Sequence, residues 1–145
     1  MNSSDVLSRL RRFLLAFSVV LLGGAVSELW LIGHTEDPLQ FVPFVLCALG
    51  MIVALVALFR PARATLLALR AVMVLVILGT LAGIYLHVRG NLELQREISP
   101  NASTGETLLA TLGGANPLLA PGILAVAAIL ALAATYHHPA LGNEE

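Results

Sequence analysis

Four apolar stretches, residues 13–33, 39–59, 66–87 and 117–136, constrain this chain more than any other feature. Each holds about twenty residues, which at 1.5 Å per helical residue matches the roughly 30 Å hydrocarbon core of a bilayer. Only 12% of the 145 residues are charged and the mean hydropathy is +0.89, whereas a soluble domain carries about 25% charged residues. Lipid is therefore the expected solvent. The expected fold is an all-α membrane protein: a single domain, residues 1–145, of four transmembrane helices, with a cap between helices 3 and 4. The first apolar run is longer than the roughly 7–15 residues of a signal h-region, so it is expected to stay as a helix.

The corners between these runs carry helix-boundary chemistry. Asp37-Pro38 opens the second run and Asn116-Pro117 the fourth. An Asx side chain can cap free N–H groups, and proline at the first helical position loses no hydrogen bond. Arg60-Pro61-Ala62-Arg63 makes the return corner. Arg70, one turn into the third run, is expected to snorkel to the headgroups. Gly79 and Gly83 form a Gly-x-x-x-Gly face that permits close helix approach.

Residues 88–116 form the long outer loop. Asn91 to Ile98 alternates apolar and polar residues, which predicts a short strand or an extended segment. Ser103, followed three residues later by Glu106, fits a capping box and predicts a short helix through about Leu112. Leu108, Leu109 and Leu112 would then face the membrane surface or the helices.

Orientation follows from the arginines, the only basic residues apart from histidine. Arg9, Arg11, Arg12, Arg60, Arg63 and Arg70 lie on one side, against Arg89 and Arg96 on the other. By the positive-inside rule both termini are expected in the cytoplasm of a bacterial inner-membrane, multi-pass protein. The His34-Thr35-Glu36-Asp37 corner and the long loop then face outward together. His137 and His138, which end the fourth run, lie on the cytoplasmic side.

Several function classes are argued against. No basic run tracks phosphates, so no nucleic-acid partner is expected. The single Cys47 excludes an intrachain disulfide framework. The second and fourth runs carry no charge, which speaks against a proton or ion relay. There is no Gly-x-Ser-x-Gly, no aspartate pair deep in a pocket and no phosphate-binding glycine loop. The chain leans away from being an enzyme, and no catalytic residue is assigned.

One constellation could carry chemistry. Glu28 lies near the outer end of the first run, where a carboxylate in lipid must be paired, protonated or turned toward protein. His34 and His87 end the first and third runs on the same side. Together with Glu36 and Asp37 they offer nitrogen and oxygen ligands suited to zinc or a similar ion. No resident cofactor is expected; a divalent metal is the one ion this set could hold.

The two halves also look alike. Asp37-Pro38-Leu39 leading to Phe59-Arg60-Pro61 parallels Asn116-Pro117-Leu118 leading to His138-Pro139, and Gly24 with Trp30 parallels Gly79 with Tyr85. A parallel duplication of a helical hairpin would give a pseudo-symmetric four-helix bundle. The strings ELWLIGHTEDPLQFVP, GIYLHVRGN and YHHPAL resemble segments of an uncharacterised family of small four-helix bacterial integral membrane proteins. That resemblance implies an inner-membrane location and four spans; it implies no activity, cofactor or site residue. The expected function is a non-catalytic scaffold or accessory subunit acting through its extracytoplasmic face. An outward-facing metal or proton site at the ends of helices 1 and 3 is the alternative. The expected partners are the lipid bilayer and either other membrane proteins or further copies of the chain.

Overall fold

The computed structural model describes residues 2–116, 118 and 121–142. Among the described residues are five helices: α1 (Ser3–Leu31), α2 (Val42–Phe59), α3 (Arg63–Ile98), α4 (Thr104–Leu112) and α5 (Gly122–Ala134). Short 3-10 turns occupy Pro38–Phe41 and Pro139–Leu141. No strand occurs among the described residues. The all-helical expectation holds.

Among the described residues, three segments are long and apolar enough to cross a membrane: Ser3–Leu31, Pro38–Phe59 and Arg63–Ile98. In each, 22% of the most apolar window is buried against protein. Side chains such as Val20, Ile52 and Leu81 are exposed, so most of the apolar surface is left for lipid or another protein to cover. The fourth expected run contains α5, whose 13 residues rise about 20 Å. Pro117, Leu119 and Ala120 lie outside the described residues, and with them the expected Pro117 helix start.

The chain divides into two compact units, Met1–Gly79 with Ile123–Glu145, and Thr80–Gly122. In the first, α1, α2, the start of α3 and α5 share one core. Leu15 and Leu22 of α1, Ala54 of α2, Leu69 and Met73 of α3, and Ala127 and Ala131 of α5 belong to it. The buried residues of α5 are mostly alanines at Ala127, Ala128, Ala131 and Ala134. This helical spacing makes a small-residue face and brings backbones close. Ser18 uses that proximity: its buried hydroxyl donates to the Ala127 carbonyl at 2.8 Å. Gly79 serves the same purpose, because a Cβ there would run into the Leu46 side chain. The start of α1 and the ends of α2 and α5 line one cavity, so α1 and α2 run antiparallel and α5 runs with α2.

The second unit is built around Asn91, which is 2% exposed. Its Nδ2 donates to the carbonyls of Thr111 at 3.0 Å and Asn116 at 2.9 Å, and its Oδ1 accepts from the Asn116 N–H at 2.9 Å. Gly114 lies flat against this carboxamide, where a Cβ would come within 2.5 Å of Asn91 Cγ. One side chain thus ties the segment after α4 back to α3. Gly83 packs against Pro121, so the two glycines of the Gly-x-x-x-Gly face serve different neighbours.

The second unit corrects one expectation. Residues 91–98 are not a strand; they continue α3 to Ile98. Leu92, Glu93, Leu94, Gln95 and Arg96 are all good helix formers, and Arg89 pairs with Glu93 one turn on at 2.8 Å. The helix stops where Pro100 cannot continue it, with the Ser99 N–H still donating to the Gln95 carbonyl. At 36 residues α3 is about 54 Å long and outruns a hydrocarbon core of roughly 30 Å.

Candidate functional site

The polar corner after α1 is held by its own backbone. Glu28 is exposed in the last turn of α1, with Trp30 beside the end of the helix and also exposed. The Glu28 carbonyl accepts from the Ile32 N–H, and the His34 N–H donates back to the Leu29 carbonyl at 3.0 Å. His34 is half-buried and Glu36 is exposed. As its sequence predicts, Asp37 caps the turn that leads into α2: Oδ1 accepts from the Leu39 N–H at 2.8 Å. Gln40 Oε1 in turn accepts from the Glu36 N–H at 2.8 Å and the Asp37 N–H at 3.3 Å. The Asp37 carboxylate is therefore occupied in starting the turn before α2. His87 is half-buried on α3, in the other unit. Among the described residues, no group of three or more His, Cys, Asp or Glu could hold a metal ion.

α4 forms as its capping box predicts. The Ser103 N–H donates to Glu106 Oε2 at 2.9 Å, the Ser103 hydroxyl donates to the same oxygen at 2.7 Å, and Ser103 Oγ accepts from the Glu106 N–H at 3.4 Å. These bonds to the ionised carboxylate hold the Glu106 pKa below its ordinary value. Thr111 is buried, while Leu108, Leu109 and Leu112 are 60%, 73% and 55% exposed. The three leucines form an uncovered apolar ridge on a helix anchored through the Thr111 carbonyl to Asn91.

Sequence reading missed how α5 ends. An α-helix leaves its last carbonyls unsatisfied, with partial negative charge at that end. In α5 the Thr135 and Tyr136 N–H groups take the Leu132 and Ala133 carbonyls, and two arginines take carbonyls of the turn that follows. Arg70 has a protein partner: its Nε donates to Thr135 Oγ1 at 2.8 Å and its Nη2 to the Thr135 carbonyl at 3.1 Å. Arg11, 9% exposed, donates through Nη2 to the carbonyls of Tyr136 at 3.1 Å and His137 at 2.7 Å. The chain reverses at His137, whose φ of 44° is left-handed, a conformation costly for a residue with a Cβ. The arginine bonds offset that cost.

His138 serves this turn as a cap. His138 Nδ1 accepts from the Ala140 N–H at 3.2 Å and caps the last 3-10 turn. Burial first, and then the Arg11 charge, push its pKa below the ordinary histidine value. With Nδ1 accepting from Ala140, the neutral imidazole carries its proton on Nε2. The only sequence signal for this arrangement is that Arg11, Arg70 and the histidines fall at the same end of the apolar runs.

The polar groups buried in the helices serve packing. Arg11, Ser18, Thr80, Asn91, Thr111 and Thr135 are the buried polar residues among those described. Each is engaged, with Ser18, Arg11 and Asn91 bonded to backbone carbonyls far along the chain. No protein-family model, curated protein or solved structure matches this chain.

Proposed function

We propose that the chain is a multi-pass inner-membrane protein with four spans and cytoplasmic termini, working as a non-catalytic scaffold or accessory subunit. Its extracytoplasmic face engages another membrane protein. The observation that carries this reading is α4, a helix outside the long apolar segments whose Leu108, Leu109 and Leu112 stand uncovered. A rigidly anchored apolar ridge is suited to a protein partner. The topology is supported by the shared end of α1, α2 and α5, where most of the arginines fall. The duplication of a helical hairpin belongs to the same reading and is supported by the Asp37-capped start ahead of α2.

A photo-crosslinking residue at Leu109, compared with one at Val20 on the exposed face of α1, tests the partner. Leu109 is expected to give a discrete protein adduct in membranes, and Val20 lipid adducts. Lipid adducts alone at Leu109 would make α4 an interfacial helix instead and remove the scaffold reading.

Glu28 favours a second reading, because it is an exposed carboxylate at the end of an apolar helix. The ligands in that reading would be drawn from Glu28, His34, Glu36, Asp37 and His87, the candidates that the sequence offers for a divalent metal or a proton. Elemental analysis of the purified protein decides it. Stoichiometric metal lost in Glu28→Gln and His87→Ala would favour the site over the scaffold.

A further inference from the structure

We propose that the first unit binds a phosphate group, as carried by an anionic phospholipid headgroup or by free phosphate, in the cavity where the start of α1 meets the ends of α2 and α5. The cavity has a volume of about 350 Å³, within the roughly 300–1,000 Å³ of small-ligand sites. Its polar lining is Ser4, Ser8, Arg11, Arg12, His137 and His138, and among the described residues no acidic one lines it. Two arginines thus share its lining with hydroxyl- and imidazole-bearing residues, and a planar guanidinium fork matches phosphate oxygens bidentately.

The second observation is Arg11 itself. A guanidinium nine-tenths buried should be paired with a carboxylate. Arg11 instead meets two neutral carbonyls, and its buried Nε has no hydrogen-bond partner among the described residues. The one described salt bridge, Arg89 with Glu93, lies in the other unit. Among the described residues, therefore, nothing in the pocket walls neutralises its positive charge. The field is felt by His138, whose pKa Arg11 helps to lower. His138 also keeps an Nε2–H available as a donor, because Nδ1 accepts from Ala140.

The lipid source rests on the topology proposed above, which puts these arginines at the cytoplasmic headgroups, where anionic lipids attract basic residues. Native mass spectrometry of the detergent-solubilised protein tests binding without depending on orientation, so failure of the topology and failure of the site are distinguishable. Phosphatidylglycerol is expected to bind and phosphatidylcholine to bind far more weakly. Arg12→Gln should cut phosphatidylglycerol affinity about fivefold, the effect of one charge near a headgroup. Arg11→Gln should cut it further; because Arg11 also holds the turn after α5, the exposed Arg12 keeps the test independent of folding.

Arg9→Gln removes the same charge outside the cavity and should change affinity little. Equal losses in Arg9→Gln and Arg12→Gln would reduce the effect to general charge and overturn the proposal. So would a large gain in affinity in a Glu144→Gln/Glu145→Gln variant, which would make the chain's own tail the occupant. Displacement of the lipid by inorganic phosphate identifies free phosphate as a ligand. Retention against phosphate, with the Arg12 effect intact, identifies the lipid.

Discussion

Two closures hold the chain together, and they solve one problem with opposite chemistry. In the turn after α5, Arg11 and Arg70 bond the carbonyls of Thr135, Tyr136 and His137 with charged donors. After α4, Asn91 does the same with a neutral carboxamide that also accepts from the Asn116 N–H. The carboxamide balances its donors with an acceptor, so the Asn91 closure is self-contained. A guanidinium has only donors, so the Arg11 closure leaves a net charge that the described surroundings do not cancel. A neutral clamp stabilises a fold. A charged one stabilises a fold and also creates a demand for an anion.

The largest expected effect breaks the neutral closure. Asn91→Leu strips partners from two carbonyls and an N–H at a site that is 2% exposed. It should destabilise the second unit by about 2–4 kcal/mol, seen as faster proteolysis between α3 and α4. Next comes Gly114→Ala, whose Cβ would meet the same carboxamide. It should cost about 1–3 kcal/mol, whereas Gly79→Ala meets only the movable end of Leu46 and should cost less in the same thermal melts. On the charged side, Arg70→Met removes two bonds to Thr135 and should lower stability by about 1–3 kcal/mol, measured by denaturation in detergent.

The smallest effect is electrostatic. Arg11 lowers the His138 pKa, so Arg11→Gln should raise it toward the ordinary value of 6.5, read from imidazole NMR shifts. The sign of the linkage follows from the lowered folded pKa. The His138 contribution to stability is full above pH 6.5 and is lost as pH falls through the depressed folded value. Arg11→Gln should shrink that dependence.

Local chemistry was readable and long-range pairing was not. Ser103 with Glu106 announces α4, and Asp37-Pro38 announces the turn before α2, because a cap acts within three or four residues. Residues 91–98 misled because an eight-residue alternation also fits a helix of Leu, Glu, Gln and Arg, and Asn91 hides its long-range role behind an ordinary surface residue type. The Arg70 partner was not readable, because Thr135 lies 65 residues away and has no local signature. The carboxylates and histidine of the corner after α1 could be placed at a helix end from sequence. That Asp37 is taken up in capping could be read there too, from its proline.

Cysteine accessibility tests the central claim, the membrane topology that gives each closure its side. In a Cys47→Ala background, cysteines would be introduced singly at Ser3, Ala102 and Gly142 and treated in intact cells with a membrane-impermeant maleimide. Ala102→Cys should label at once, and Ser3→Cys and Gly142→Cys only after permeabilisation. Labelling of Gly142→Cys in intact cells, or protection of Ala102→Cys, would contradict four spans with cytoplasmic termini.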